Sequence, residues 1–198
     1  MTVLAANAWK TNADLIAEVA TLYYAGGPLL DTTYGLGGWW SKWQPEGLVA
    51  HDIDPIKGDG VSYHNLPHDD SSFSTIAFDP PYVARSSNEG TLGRDYHERY
   101  GRKAGTSPVD IQQDIDSGLT ECARVLARKG FLWVKCQDYI TSGKLVPGTH
   151  NTIVTALECN LKYVDRFEHI ATNPRPQPPG RRQVHARRNL STLLVFSR

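Results

Sequence analysis

Four adjacent residues, Asp79-Pro80-Pro81-Tyr82, combine an acid, a stiff backbone and an aromatic ring. Two successive prolines fix φ and remove two N–H donors. The chain therefore leaves the apolar run ending in Phe78 rigidly, with carbonyls that cannot relax into a turn network. Such a site suits a planar heterocycle bearing an exocyclic NH2. Asp79 and the Pro80 carbonyl would each accept one N–H, and Tyr82 would stack on the ring. A second cluster, Asp31-Thr32-Thr33-Tyr34-Gly35-Leu36-Gly37-Gly38, follows another short apolar run. Its glycines allow a sharp turn and close approach of the backbone to a ligand. The nicotinamide fingerprint G-x-G-x-x-G would need glycine where Trp40 stands, and no G-K-[ST] phosphate loop is present. Asp52, at the end of the next apolar run, is placed to bind a ribose diol. Taken singly, the glycines could form a plain turn and Asp79 could be incidental to a strand-ending Pro-Pro. Their pairing on two strand ends favours one ligand site.

The elements that must position these residues are legible as a strand–helix alternation. Thr11-Asn12-Ala13-Asp14 resembles a capping box; Leu15, Ile16, Val19, Leu22 and Tyr23 follow at helical spacing, and Gly26-Gly27 stops the run. Strands are expected at 28–31, 47–52 and 74–79, with a weaker one at 60–64. Ser107-Pro108-Val109-Asp110 caps a second helix, with Ile111, Ile115, Leu119, Cys122 and Leu126 on one face and Gly130 as its stop. A strand at 131–135, a helix near 149–160 and strands near 163–170 and 190–196 complete the chain. Near-continuous apolar strands alternating with helices argue for an α/β fold with a largely parallel sheet covered on both faces. Residues 83–107 and 171–188 read as long loops, and loops of that length are usually functional.

The two motifs together resemble the S-adenosylmethionine-dependent amino-methyltransferases that modify adenine N6 or cytosine N4 in nucleic acids. Asp31–Gly38 is similar to their cofactor motif, Asp52 in His51-Asp52-Ile53-Asp54-Pro55 to their ribose-binding acid, and Asp79-Pro80-Pro81-Tyr82 to their D-P-P-[YFW] catalytic motif. Lys10-Thr11-Asn12 resembles the segment that closes over the methionine end of the cofactor. The resemblance covers residues 10 to 198. It implies a Rossmann-like class I methyltransferase domain spanning 1–198, with a seven-stranded sheet whose last strand is antiparallel. It implies S-adenosyl-L-methionine as cofactor, bound by Lys10, Thr11, Asp31, Thr33, Gly35, Gly37, Asp52 and Ile53, and catalysis by Asp79, Pro80, Pro81 and Tyr82. The implied enzyme is a DNA (adenine-N6) methyltransferase, the aspartate form of the motif resembling the adenine enzymes more than the S-P-P-Y form. Few residues separate the second strand from the next, so the usual intervening helix is shortened or lost. Asp59 or Ser62–Asn65 is then the candidate contact for the cofactor adenine.

The 198 residues fit one domain, able to bury about 70% of the surface of the unfolded chain. With 40% hydrophobic and 21% charged residues, disorder and collagen-like structure are excluded. The N-terminus lacks a basic and apolar leader, and Cys122, Cys136 and Cys159 fall at no metal-ligand spacing, so a cytoplasmic protein with buried thiols is expected. Net charge is zero, yet from Leu161 onward eight basic residues face only Asp165 and Glu168. That excess suggests an anion-facing edge. Arg85 and Arg94 on the first loop and Arg181, Arg182, Arg187 and Arg188 on the second are the candidate phosphate contacts, with Tyr96 and Tyr100 as stacking groups. No separate target-recognition domain is evident, so these loops or a partner subunit must supply specificity. Three rivals remain: N4-cytosine or RNA amino-methylation, a non-catalytic nucleic-acid-binding subunit, and a small-molecule or protein amide methyltransferase.

Overall fold

The computed structural model describes residues 9–82, 107–170, 182–186 and 188–198. The predicted contacts Arg85, Arg94, Arg181 and Arg187 lie outside them. Helix α1 (Asn12–Tyr23) begins at the expected capping box: Thr11 Oγ1 accepts from Asp14 N at 3.1 Å and Asp14 Oδ2 accepts from Thr11 N at 3.1 Å. Strands β1 (Leu29–Asp31), β2 (Leu48–Ala50) and β3 (Phe73–Phe78) follow. Helix α2 (Pro108–Val125) opens on a second reciprocal cap, Ser107 with Asp110, and carries proline in its first turn. Strand β4 (Leu126–Cys136), a hairpin of β5 (Tyr139–Thr141) and β6 (Lys144–Val146), helix α3 (Gly148–Glu158), β7 (Lys162–Ile170) and β8 (Leu190–Ser197) complete the order.

Six of these strands form one sheet in the order β2-β1-β3-β4-β8-β7. The first four are mutually parallel, and β8 runs antiparallel between β4 and β7. The chain turns from β1 to β2 on one side and then crosses to β3 on the other. The crevice between the carboxyl ends of β1 and β3 is therefore the topological switch point, where open α/β sheets bind ligands.

Strand parity sorts the core into two layers. Leu29, Ala77, Trp133, Leu193 and Val195 pack with Leu15, Ile16 and Val19 of α1. Leu30, Ile76, Phe78, Leu132, Val134, Leu194 and Phe196 face Ile111, Ile115 and Leu119 of α2. Gly118 of α2 is required by this contact: a Cβ there would stand 2.5 Å from Phe78 Cζ and 2.9 Å from Tyr63 Cδ2. Gly118→Ala should therefore cost about 1–3 kcal/mol through overpacking, read as a lower urea midpoint at unchanged slope; an unaltered midpoint would show that helix and sheet can separate freely.

Three expectations are corrected. The strand anticipated at 60–64 is absent, so the sheet among the described residues has six strands rather than seven. Gly60 N–H turns back to Asp52 O, and α2 side chains take up the following backbone: Glu121 accepts from Leu66 N, and Arg124 donates to Leu66 O and His68 O. Within the segment Val61 N–H donates to Asp59 Oδ1 and His64 N–H to Ser62 Oγ, turn bonds that take the place of a ladder. Helix α2 ends at Val125, well before Gly130. Arg198 Nη1 donates to the carbonyls of Ala123, Arg124 and Leu126, satisfying that helix end. Lys129, at φ 62°, takes the left-handed turn instead of Gly130. Third, the β5–β6 hairpin stands where no element was expected. Its turn is Ser142-Gly143, both at positive φ, as two-residue hairpins favour.

Candidate active site

Asp31 closes β1 and Asp79 follows β3, so both carboxyls flank the switch point. The glycine loop is laced to its neighbours by backbone bonds. Thr32 N–H donates to Ala77 O of β3, Tyr34 N–H to His51 O after β2, and Gly37 N–H to Tyr34 O. Gly35 and Gly37 sit at φ 58° and 71°, the left-handed conformation that glycine adopts without strain. A 3-10 turn over Gly38–Trp40 then folds back across the strand ends.

That turn presents two indoles to the two acids. Trp40 Nε1 donates to Asp31 Oδ2 at 2.7 Å, while Asp31 Oδ1 accepts from Thr33 N at 2.9 Å. The Trp39 indole lies on the Asp79 side and favours the charged form of that carboxyl. Thr33 Oγ1 accepts from the Asp79 backbone N–H at 2.8 Å, so the glycine loop and the Asp79 tip are fastened together. Burial pushes the Asp31 carboxyl up to about 7, against the two hydrogen bonds that favour its charged form. Burial also raises Asp79, to about 6, although the nearby Lys135 cation and the Trp39 indole restrain it. At neutral pH, Asp79 is thus largely an ionised acceptor.

Asp52 is half-buried; its Oδ2 accepts from Gly35 N at 2.8 Å and its Oδ1 from Asp54 N at 2.8 Å. Each oxygen keeps a lone pair for a diol. Gly58 underlies it: a Cβ there would lie 2.6 Å from Asp52 Cβ. Around this carboxyl the apolar side chains Leu36, Ile53 and Ile56 stand 81%, 51% and 93% exposed, a rim suited to a flat ring. Asp59 is committed elsewhere, with Oδ2 2.6 Å from His51 Nδ1 and Oδ1 accepting from Val61 N. His51 Nε2 in turn lies 2.7 Å from His68 Nε2. These histidines are satisfied internally.

Among the catalytic-motif residues, Pro80 is buried, Pro81 half-buried, and Tyr82 half-buried against the α2-side core. Thr11 spends its hydroxyl on the α1 cap and Lys10 is exposed. The residue of that segment that reaches inward is Asn12, whose Oδ1 accepts from Lys135 Nζ at 2.8 Å. Arg182 and Arg188 are both exposed, on the stretch leading into β8 at the sheet end that holds Asp31 and Asp79. His185 Nε2 lies 2.9 Å from Gly143 O, which docks this stretch on the β5–β6 turn.

Trp39, Trp40, Gly58 and Lys135 do not stand out as site residues in the sequence. Trp40 counts there only against a dinucleotide fingerprint, and Lys135 only as the last residue of an apolar strand. A lysine inside such a strand is the available signal, because buried lysines need a partner. The free thiols of Cys122 and Cys136 are raised by burial, so neither is poised as a nucleophile. Among the described residues, no group of three or more His, Cys, Asp or Glu could hold a metal ion. No helix among them is long and apolar enough to cross a membrane.

No family model matches the chain, and no curated protein matches it. Solved structures do. The N-methyltransferase NodS from Bradyrhizobium japonicum superposes with TM-score 0.55 at 12% identity, covering 93% of this chain and 94% of that one. A candidate sarcosine dimethylglycine methyltransferase from Galdieria sulphuraria gives TM-score 0.53 at 14% identity, covering 79% and 61%. The fold is that of class I methyltransferases. A candidate DNA modification methylase from Thermus thermophilus, crystallised with S-adenosyl-L-methionine, aligns at 15% identity and TM-score 0.44 over 66% of this chain. The present chain spans about half of that protein's length, 49%.

Proposed function

We propose that this chain is an S-adenosylmethionine-dependent methyltransferase acting on an exocyclic base amino group in nucleic acid, adenine N6 in DNA. The carrying observation is the half-buried Asp79 at the switch point, fastened to the glycine loop through Thr33 and flanked by a cation. The residues present fit the cofactor. Asp52 has free lone pairs for a ribose diol, Ile53 and Leu36 offer apolar surface to an adenine ring, and Gly35, whose would-be Cβ meets nothing nearer than 4.0 Å, leaves room beside the strand ends. The bound cofactor supplies an electrophilic methyl group on a sulfonium.

An exocyclic amino nitrogen is a weak nucleophile because its lone pair is delocalised into the ring. Asp79 and the Pro80 carbonyl hold its two hydrogens, favouring a pyramidal nitrogen whose lone pair points at the methyl. Positioning and preorganised charge then supply most of the acceleration. As the N–C bond forms, the methyl's bond to sulfur would break, its electron pair leaving on a neutral thioether, and the nitrogen's surplus proton would pass to the Asp79 carboxylate and on to water. In duplex DNA the target amino group is stacked and paired, so the base must be extruded or already single-stranded. Arg182 and Arg188 would bind phosphates, with Arg85, Arg94, Arg181 and Arg187 as further contacts.

The testing experiment offers labelled S-adenosylmethionine with unmethylated duplex DNA, single-stranded DNA or total RNA, and resolves the nucleosides after digestion. Label in N6-methyladenine from DNA is expected. Label in N4-methylcytosine would keep the chemistry and change the base. Label confined to RNA would replace the substrate, and cofactor binding without any label would overturn the reading.

A further inference from the structure

We infer that Lys135 is a positioning residue whose buried ammonium, held by Asn12 at the start of α1, serves as the counter-charge of Asp79. This rests on the reading that Asp79 receives the substrate's amino group.

The placement follows from strand parity. In the β3–β4 ladder Phe78 is paired with Val134, so the next residues, Asp79 and Lys135, leave adjacent parallel strands side by side. Ala77 and Trp133 both face the α1 layer, and residues two further along each strand point the same way. Lys135 is 1% exposed, and its Nζ donates to Asn12 Oδ1 at 2.8 Å. A hydrophobic side chain of similar volume would occupy such a place at less cost than a charge. Packing alone therefore gives no reason for a lysine.

The groups around the pair are few. The charge of Asp79 is influenced by Lys135 on β4 and by the Trp39 indole of the glycine loop, and it acts in turn on the Asp31 carboxyl of β1. Lys135 meets Asn12 from α1, Glu168 from β7 and its neighbour Cys136. Burial drives both partners toward neutrality: Asp79 up to about 6 and Lys135 down to about 8, each shift opposed by the other's charge. Between those values both are ionised, which is the state in which Asp79 can accept an amino hydrogen. Removing the cation removes an influence that lowers the Asp79 value, so that value must rise further.

The test uses the full chain with Lys135→Met and Lys135→Arg, and three measurements. The first is the Asp79 carboxyl titration by carbon NMR, assigned with Asp79→Asn; the others are methyl transfer against pH, and thermal melting. Lys135→Met should raise the Asp79 midpoint by about one pH unit or more. It should lower transfer at pH 6.5 by about threefold or more, in step with the ionised fraction of Asp79. The deficit should close above about pH 8, where the wild-type lysine itself loses its charge. Melting should fall more at pH 7.5, where the variant leaves a buried Asp79 carboxylate without its counter-charge, than at pH 5, where Asp79 is protonated, whereas a merely structural lysine would cost the same at both. Lys135→Arg should keep the Asp79 midpoint near that of the wild type. If Lys135→Met does not fold, Lys135→Gln, which keeps a donor for Asn12, carries the same readouts. An unmoved Asp79 midpoint, or a loss of transfer equal at every pH, overturns the inference. If the wild type methylates no base at all, the functional proposal falls, while the Asp79 midpoint still decides the role of Lys135.

Discussion

Asp79→Ala is expected to reduce methyl transfer by about 1,000-fold while leaving cofactor affinity within a few-fold of wild type. The separation follows from where the side chain sits. Asp79 follows the tip of β3, and its backbone N–H donates to Thr33 Oγ1, a contact that alanine keeps. The glycine loop therefore holds its shape, as does Asp52, which the loop grips through Gly35 N–H. What disappears is a carboxylate acceptor and the focus of the Lys135 charge, whose use comes when the amino nitrogen is made to bond the methyl. Asp79→Asn separates charge from shape: it keeps one oxygen and loses the anion, so it should fall between alanine and wild type. Single-turnover transfer and equilibrium cofactor binding, measured on the same preparations, check the claim. Wild-type turnover by the alanine variant would remove Asp79 from the chemistry. A collapse of cofactor binding instead would make it part of the cofactor site.

How far this site can be foreseen depends on how local each cause is. Thr11 with Asp14 and Ser107 with Asp110 carry their partners three residues away, so both helix starts are readable. Asp31 and Asp79 are readable because each ends an apolar run, and the fold then brings those ends together. The failures share the opposite property. Residues 60–64 look like a strand by composition, but Glu121 and Arg124, more than 50 residues away, take the neighbouring backbone groups. The end of α2 at Val125 depends on Arg198, at the far end of the sequence. The indole contacts of Trp39 and Trp40 depend on a 3-10 turn that only the packed strand ends define. The Ser142-Gly143 turn, by contrast, is a local signal, and no distant contact excuses its omission from the expected elements. Lys135 is visible as a residue but not as a site, since its partner Asn12 lies 123 positions earlier.

Gly37→Val should abolish most cofactor binding, with a loss of about 100-fold or more, while the protein remains folded. Gly37 has φ +71°, a conformation that costs a β-branched residue about 1–3 kcal/mol. In addition a Cβ there would lie 2.5 Å from Tyr34 Oη and 2.8 Å from Tyr34 Cζ, so the phenol ring must swing away. Relief of either stress displaces the segment 34–40, which carries Gly35 N–H to Asp52 and the indoles to Asp31 and Asp79. Gly26→Val is the matched control. Gly26 has φ +75°, nothing within 4 Å of its would-be Cβ, and a position before β1, at the opposite end of the sheet. It should show the drop in melting temperature that φ strain alone costs, with cofactor affinity unchanged. Both can be followed by tryptophan fluorescence, because Trp39 and Trp40 belong to the loop that the substitution moves. Equal binding by the two variants would mean that the glycine loop is a turn of the scaffold rather than the cradle of a ligand. A selective loss at Gly37 ties the left-handed backbone to binding, with the strain common to both sites subtracted out.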